Sequence, residues 1–257
     1  NSGALALMIS IGHRTGLFDA LAALPAVTSN ELAAAANLQE RYVREWLATM
    51  VTGRIVVYNP TNATYCLPAE HAAFLTRTAT PNNMAVTSQF IGLLGTVEDK
   101  IASAFHTGDG VGYEHFHRFH EVMAEDSNQS VVSALTDHIL PLVPGLTAAL
   151  QRGLTVLDLG CGQGRALNRL AATFPNSRFT GYDLSEAAIA TARNIAAAQG
   201  LTNIEFVAKD VTHLNESARY DLICTFDAIH DQAQPATVLG SIYRALRPGG
   251  VYLMQDI

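Results

Sequence analysis

No apolar run in this sequence reaches the roughly 20 residues that a membrane-spanning helix needs, and no secretory signal is visible. The chain therefore reads as cytoplasmic, with no membrane among its partners. Cysteine is scarce. Cys66, Cys161 and Cys224 are scattered without metal-like spacing, a usage that fits a reducing compartment. Cys161 falls inside a glycine-rich turn and Cys224 inside a buried-looking strand, so both read as small core residues rather than nucleophiles. Charge is also thin, at 15% of residues, and its balance is negative: 16 basic against 23 acidic side chains give −7. That balance disfavours a polyanionic substrate such as tRNA or rRNA. What the chain has in quantity is apolar residues, 49% of 257, enough for one large or two small domains.

Residues 155–164, TVLDLGCGQG, carry the most information. A buried strand runs into a turn with glycines at 160, 162 and 164, then into the helical stretch RALNRLAATF. Such glycines let backbone approach a ligand where side chains would clash. Asp158 is a carboxylate at the mouth of the strand, better suited to a cation or an amine than to a phosphate. A second strand, RFTGYD, ends in Asp183, 25 positions beyond Asp158, which places both acids at the carboxyl ends of adjacent strands. An acid in that second position commonly accepts ribose hydroxyls. A helix opened by Ser185 and closed by Gly200 follows, then a strand ending in Asp210 and a fourth over 220–231. A helix and a final strand after Pro248-Gly249-Gly250 complete an alternating pattern. The expected fold is α/β, a Rossmann-like doubly wound parallel sheet.

VLDLGCGQG, the acid in GYDLS, Lys209-Asp210, the DLICTFDAIHD segment and LRPGGVYLMQD together resemble class I S-adenosylmethionine-dependent methyltransferases over residues 150–257. The resemblance implies S-adenosylmethionine as cofactor. Asp158 and the backbone of Gly160, Gly162 and Gly164 would hold its methionine end. Asp183 would take the ribose, Asp210 and the Val211 backbone the adenine edge, and Leu184 and Phe226 would complete the cofactor contacts. The chain starts at Asn1 in mid-helix with no initiator methionine, and members of the class usually continue into two further strands beyond Ile257, so both ends read as cut.

Residues 1–80 follow another plan: an opening helix, ALALMISIGHRTGLFDAL, then a short helix capped at Thr28 or Ser29 with Glu31 in capping-box position. A helix over 39–52 presents Tyr42, Val43, Trp46, Leu47 and Met50 on one face and ends at Gly53. A hairpin with strands around 55–58 and 64–67 completes a winged helix. Five arginines, no lysine and five acids make this region neutral, which is poor for phosphate binding and makes nucleic acid an unfavoured partner. It also resembles the dimerisation module of small-molecule O-methyltransferases, which implies a homodimer. Residues 81–150 read as a helical linker and substrate-pocket segment, with one long helix over NNMAVTSQFIGLLGTVEDKIASAF. Further on, His115, His117 and His120 stand among Tyr113, Phe116 and Phe119, at spacings poor for a helical metal pair, so no metal is expected.

For the chemistry, His230 and Asp231 stand at the carboxyl edge of the sheet, where ligands bind in such folds. Imidazole titrates near pH 6.5, so His230 is a candidate general base. The O-methyltransferases place a His-Asp pair directly after this strand. They usually continue Trp-Ser-Asp, whereas Gln232, Ala233 and Gln234 stand here. The Asn-Pro-Pro-aromatic motif of amino methyltransferases is absent. The reading is O-methylation of a small, apolar or aromatic hydroxylated molecule. The rivals are an N- or C-methyltransferase, or a cofactor-binding transcriptional regulator that uses its winged helix on DNA.

Overall fold

The computed structural model describes residues 1–256, which separate into two compact units, one ending at Ser130 and the other starting at Val131. The first unit opens with α1 (Ser2–Thr15) and α2 (Leu17–Ala22) where one helix was expected. The break is Gly16, whose φ of 74° is left-handed and ends α1 with a backbone cap. In α3 (Ser29–Ala36) the capping box is present: Glu31 N–H donates to the Thr28 hydroxyl, and Thr28 N–H donates back to the Glu31 carboxylate at 2.8 Å. In α4 (Glu40–Thr52), Val43, Trp46, Leu47 and Met50 are buried, but Tyr42 is 76% exposed. The apolar stripe runs 43, 46, 47, 50, and residue 42 lies about 40° beyond its edge at residue 46. Trp46 anchors the core, its ring edge-on to Phe18 at 5.1 Å and its Nε1 donating to the Met8 carbonyl. Gly12 makes room for it, since a Cβ there would lie 2.6 Å from the indole.

The wing is an antiparallel pair, β1 (Val57–Asn59) and β2 (Thr64–Cys66), with Val27 bridged to Tyr65 beside it. After α5 (Ala69–Leu75), the long helix expected over 82–105 is instead three: α6 (Met84–Thr87), α7 (Gln89–Gly95) and α8 (Glu98–Thr107). At the joints Ser88 and Thr96 turn their hydroxyls back onto the carbonyls of Met84 and Leu93, both at 2.7 Å, offering the backbone an alternative to continued helix. Tyr113 stacks on Phe119 at 4.7 Å ahead of α9 (Phe119–Ser127), and His120 packs edge-on against Phe119.

In the second unit, α10 (Leu146–Arg152) leads into β3 (Thr155–Leu159), α11 (Arg165–Thr173), β4 (Arg178–Asp183) and α12 (Glu186–Ala198). Then come β5 (Ile204–Ala208), β6 (Tyr220–Phe226), α13 (Pro235–Ala245) and β7 (Leu246–Gln255). All five strands are parallel, in the order β5-β4-β3-β6-β7. Side chains alternate across the sheet. Val156, Phe179, Leu222 and Cys224 pack with α11 and α12. Leu157, Leu159, Tyr182 and Ile223 pack with α13 on the opposite face. The fourth strand of this sheet stops at Phe226 rather than running to Asp231, because Asp227 takes a φ of 56° and turns the chain out of the sheet. Among the described residues no helix is long and apolar enough to cross a membrane.

Candidate functional site

The winding of the sheet reverses between β3 and β6, and the crevice at such a point, beyond the carboxyl ends of the strands, is where ligands bind. The glycine turn follows β3 there, and its three glycines serve three purposes. Gly160 (φ 74°) hands its N–H to the Tyr182 carbonyl and sits so close to Ala228 that a Cβ would meet that methyl at 2.7 Å. Gly164 (φ 69°) lets α11 pack down, a Cβ there lying 2.6 Å from the Phe206 ring and 2.8 Å from Ala192. Gly162 (φ 50°) is different: a Cβ would meet nothing within 4 Å, so its bare backbone faces open space.

Two carboxylates frame the turn. Asp158 is 2% exposed, and its Oδ1 has no hydrogen-bonding partner. Burial, with the nearby Asp183 charge adding to it, pushes its pKa up to about 8. A buried acceptor left unpaired is costly, and an ammonium group would restore both the charge and the hydrogen bond. Asp183 ends the neighbouring strand, half-buried. Its Oδ2 accepts from Gly162 N–H at 2.8 Å and its Oδ1 from Ser185 N–H at 2.9 Å. Those bonds fix the carboxylate and leave each oxygen a second lone pair for a ligand hydroxyl. Leu184, next in the chain, is 67% exposed, an apolar side chain available to a flat ring. Asp210 stands exposed after β5 and caps the turn Val211–His213 through Thr212 N–H at 2.8 Å, while Val211 is buried. Phe226 is half-buried against the core that holds α11 and α12.

His230 lies in the loop after β6. Its Nδ1 is hydrogen-bonded to Asp256 Oδ1, at the end of β7, and Asp256 Oδ2 accepts from Ile229 N–H at 3.0 Å. Asp231 Oδ1 lies 3.3 Å from the other ring nitrogen, Nε2, and Asp227 Oδ1 3.7 Å from Nδ1. The Asp256 hydrogen bond is the main reason the His230 pKa rises above its ordinary value, with the three surrounding carboxylates reinforcing it. An imidazole titrating at its ordinary value was expected; the three acids correct that. Gln232 supports the loop by donating to the Ala228 carbonyl at 3.0 Å. Sequence reading missed Asp256 and Asp227. The only signal for Asp256 is an acid at the end of the next strand, and its nearness to His230 follows from β6 pairing with β7. Asp227, His230 and Asp256 also bring three donor atoms within 4.8 Å of one another, a set able to hold a cation.

Comparison with known proteins follows the same division. Residues 3–77 match the Rv2258c-like winged HTH domain family and residues 150–257 match a methyltransferase domain family. A trans-aconitate 2-methyltransferase of Azoarcus sp. (strain BH72) is 34% identical over 106 residues, 41% of this chain and 40% of that protein. The chain thus spans about two-fifths of the length of the curated relatives it matches. Among solved structures, an O-methyltransferase family protein from Burkholderia thailandensis superposes with a TM-score of 0.71 at 17% identity, covering 99% of this chain and 76% of that one. Human N-acetylserotonin methyltransferase, solved in complex with S-adenosylmethionine, gives 0.67 at 18%, with the same coverage. At these identities the likeness is one of fold. Sheet order, glycine turn, paired acids and both domain matches agree: the chain carries a class I S-adenosylmethionine-dependent methyltransferase domain behind an Rv2258c-like winged helix.

Proposed function

We propose that this protein transfers a methyl group from S-adenosylmethionine to a hydroxyl of a small, apolar or aromatic molecule, with His230 as the base. The observation that carries this reading is His230 itself, held through Nδ1 by Asp256. Its loop touches the glycine turn, where Ala228 meets Gly160. The donor sulfonium supplies an activated methyl group, so the chain has two tasks, alignment and proton removal. Asp158 would neutralise the donor's ammonium and Gly162 would pass it at backbone distance. Asp183 would accept both ribose hydroxyls, with Leu184, Asp210, Val211 and Phe226 around the adenine. A substrate hydroxyl would displace the exposed Asp231 carboxylate from Nε2 and give its proton to that nitrogen, while Asp256 stabilises the resulting imidazolium. That the Burkholderia thailandensis fold neighbour is an O-methyltransferase family protein supports this reading.

The ribose contact has a direct test. Asp183→Ala removes charge-assisted hydrogen bonds of about 1.5–3 kcal/mol each and should weaken S-adenosylhomocysteine binding tenfold or more. Calorimetry showing unchanged affinity would overturn the assignment.

The amino-terminal unit we assign to a homodimer. The candidate recognition helix α4 spends its arginines internally, Arg41 on Glu45 at 3.1 Å and Arg44 on Glu40 at 3.6 Å, leaving little for phosphate. Leu7 and Ile11 of α1 and Ile91 and Leu94 of α7 are each more than 40% exposed, and Leu7 lies against Gly92. Light scattering should give a dimer mass, and a Leu7→Glu/Ile11→Glu variant should give a monomer. A monomeric parent that binds duplex DNA with a steep salt dependence would favour the regulator instead.

A further inference from the structure

The amino-terminal unit contains a cavity of about 190 Å³ lined by His13, Arg77, Asn83, Val86, Glu125 and Gln129 among others. His13 is 4% exposed and fixed by a 3.0 Å hydrogen bond between its Nε2 and Glu125 Oε2. Its Nδ1 is buried with no partner. Glu125 Oε2 also accepts from Gln89 Nε2 at 2.6 Å, and Gln89 in turn accepts from Arg118 at 3.0 Å, so three helices hold the carboxylate in place. The His13 hydrogen bond is the main cause holding the Glu125 pKa below the usual carboxylate value, which keeps it ionised. In the neutral ring that donates Nε2–H to this carboxylate, Nδ1 is a bare lone pair, an acceptor.

The donors of the wall already have partners within the protein, and the Arg77 charge is paired with Asp19 at 3.0 Å. Arg77 gives its terminal nitrogens to Asp19 and the His13 carbonyl. The Asn83 amide donates to the Thr76 carbonyl, and that of Gln129 to Asp126. An anion would face the Glu125 carboxylate, whereas a ligand bringing its own N–H donors would meet that fixed negative charge beside the imidazole. We propose that this cavity is a binding site for a small organic ammonium ion, seated on His13 and Glu125. Its size, below the usual range for drug-sized ligands, limits the occupant to a compact amine.

Matched pairs of probes test the site on the full chain: ethylamine against acetate, ethanolamine against glycolate, benzylamine against benzoate. Calorimetry should show at least one amine binding in the millimolar range and its carboxylate partner not binding. Glu125→Gln, which keeps the shape and removes the charge, should weaken the amine tenfold or more, and Ala79→Leu should block it by filling the cavity. Both variants should retain S-adenosylhomocysteine binding, which separates this site from the cofactor pocket and from a fold defect. Asp158→Asn should leave amine affinity unchanged. No binding by any amine, equal binding of the carboxylates, or an affinity indifferent to Glu125→Gln would each overturn the proposal and leave a water-filled pocket.

Discussion

His230→Ala is expected to lower kcat by roughly 10²–10⁴-fold while S-adenosylhomocysteine affinity stays nearly constant, because a base acts in the transition state. The pH profile carries the sharper information. A carboxylate bonded to imidazole stabilises its protonated form, so the His230 pKa lies above its ordinary value. Only the neutral ring can accept a proton, so activity must rise with pH through that raised pKa, higher than the roughly 6.5 of free imidazole. Asp256→Asn removes the main cause of the shift and should move this limb to lower pH, with a smaller loss of rate. His230→Ala should abolish the limb altogether. A small rate effect with an unchanged profile would point to a nitrogen or carbon acceptor, or to a hydroxyl already ionised.

The second large effect concerns stability. Gly164→Ala places a Cβ 2.6 Å from the Phe206 ring and 2.8 Å from Ala192, at a φ of 69°. Left-handed backbone costs a non-glycine residue about 1–2 kcal/mol, and overpacking typically adds about 1–3 kcal/mol. The sum, about 3 kcal/mol, corresponds to a Tm lower by roughly 10 °C in a chain of this size. Gly162→Ala shares the positive φ but meets open space, so its loss should stop near 1 kcal/mol. Scanning calorimetry of the two variants separates packing from backbone strain, and equal Tm losses would refute the distinction.

These two sites differ in how far the sequence foretold them. The sheet was legible because its strands alternate with helices at short range and each carries its own punctuation: the glycine turn after β3, Ser185 before α12, Pro248-Gly249-Gly250 inside β7. The capping box at Thr28 was equally local. What stayed hidden depended on tertiary context. Nothing around His230 says that its firmest partner is Asp256, since the pairing exists only once β6 and β7 lie side by side. The apolar stretch over 82–105 has helix-forming character throughout, yet two hydroxyls folded back at Ser88 and Thr96 accompany its division into three. Tyr42 counted as apolar in the pattern and proved to lie outside the stripe.

The strand order also bears on when the site comes into being during folding. β3, β4 and β5 are consecutive in the chain and adjacent in the sheet, so their pairing closes short loops around α11 and α12. β6 must return past both helices to reach the other side of β3, a longer excursion whose closure entropy comes due before its contacts form. The half carrying the glycine turn, Asp158 and Asp183 is therefore the natural nucleus. His230 and Asp256 arrive with the half that docks afterwards. A chain arrested before β6 docks would have its glycine turn and paired acids in place, with nothing yet positioned to accept a proton.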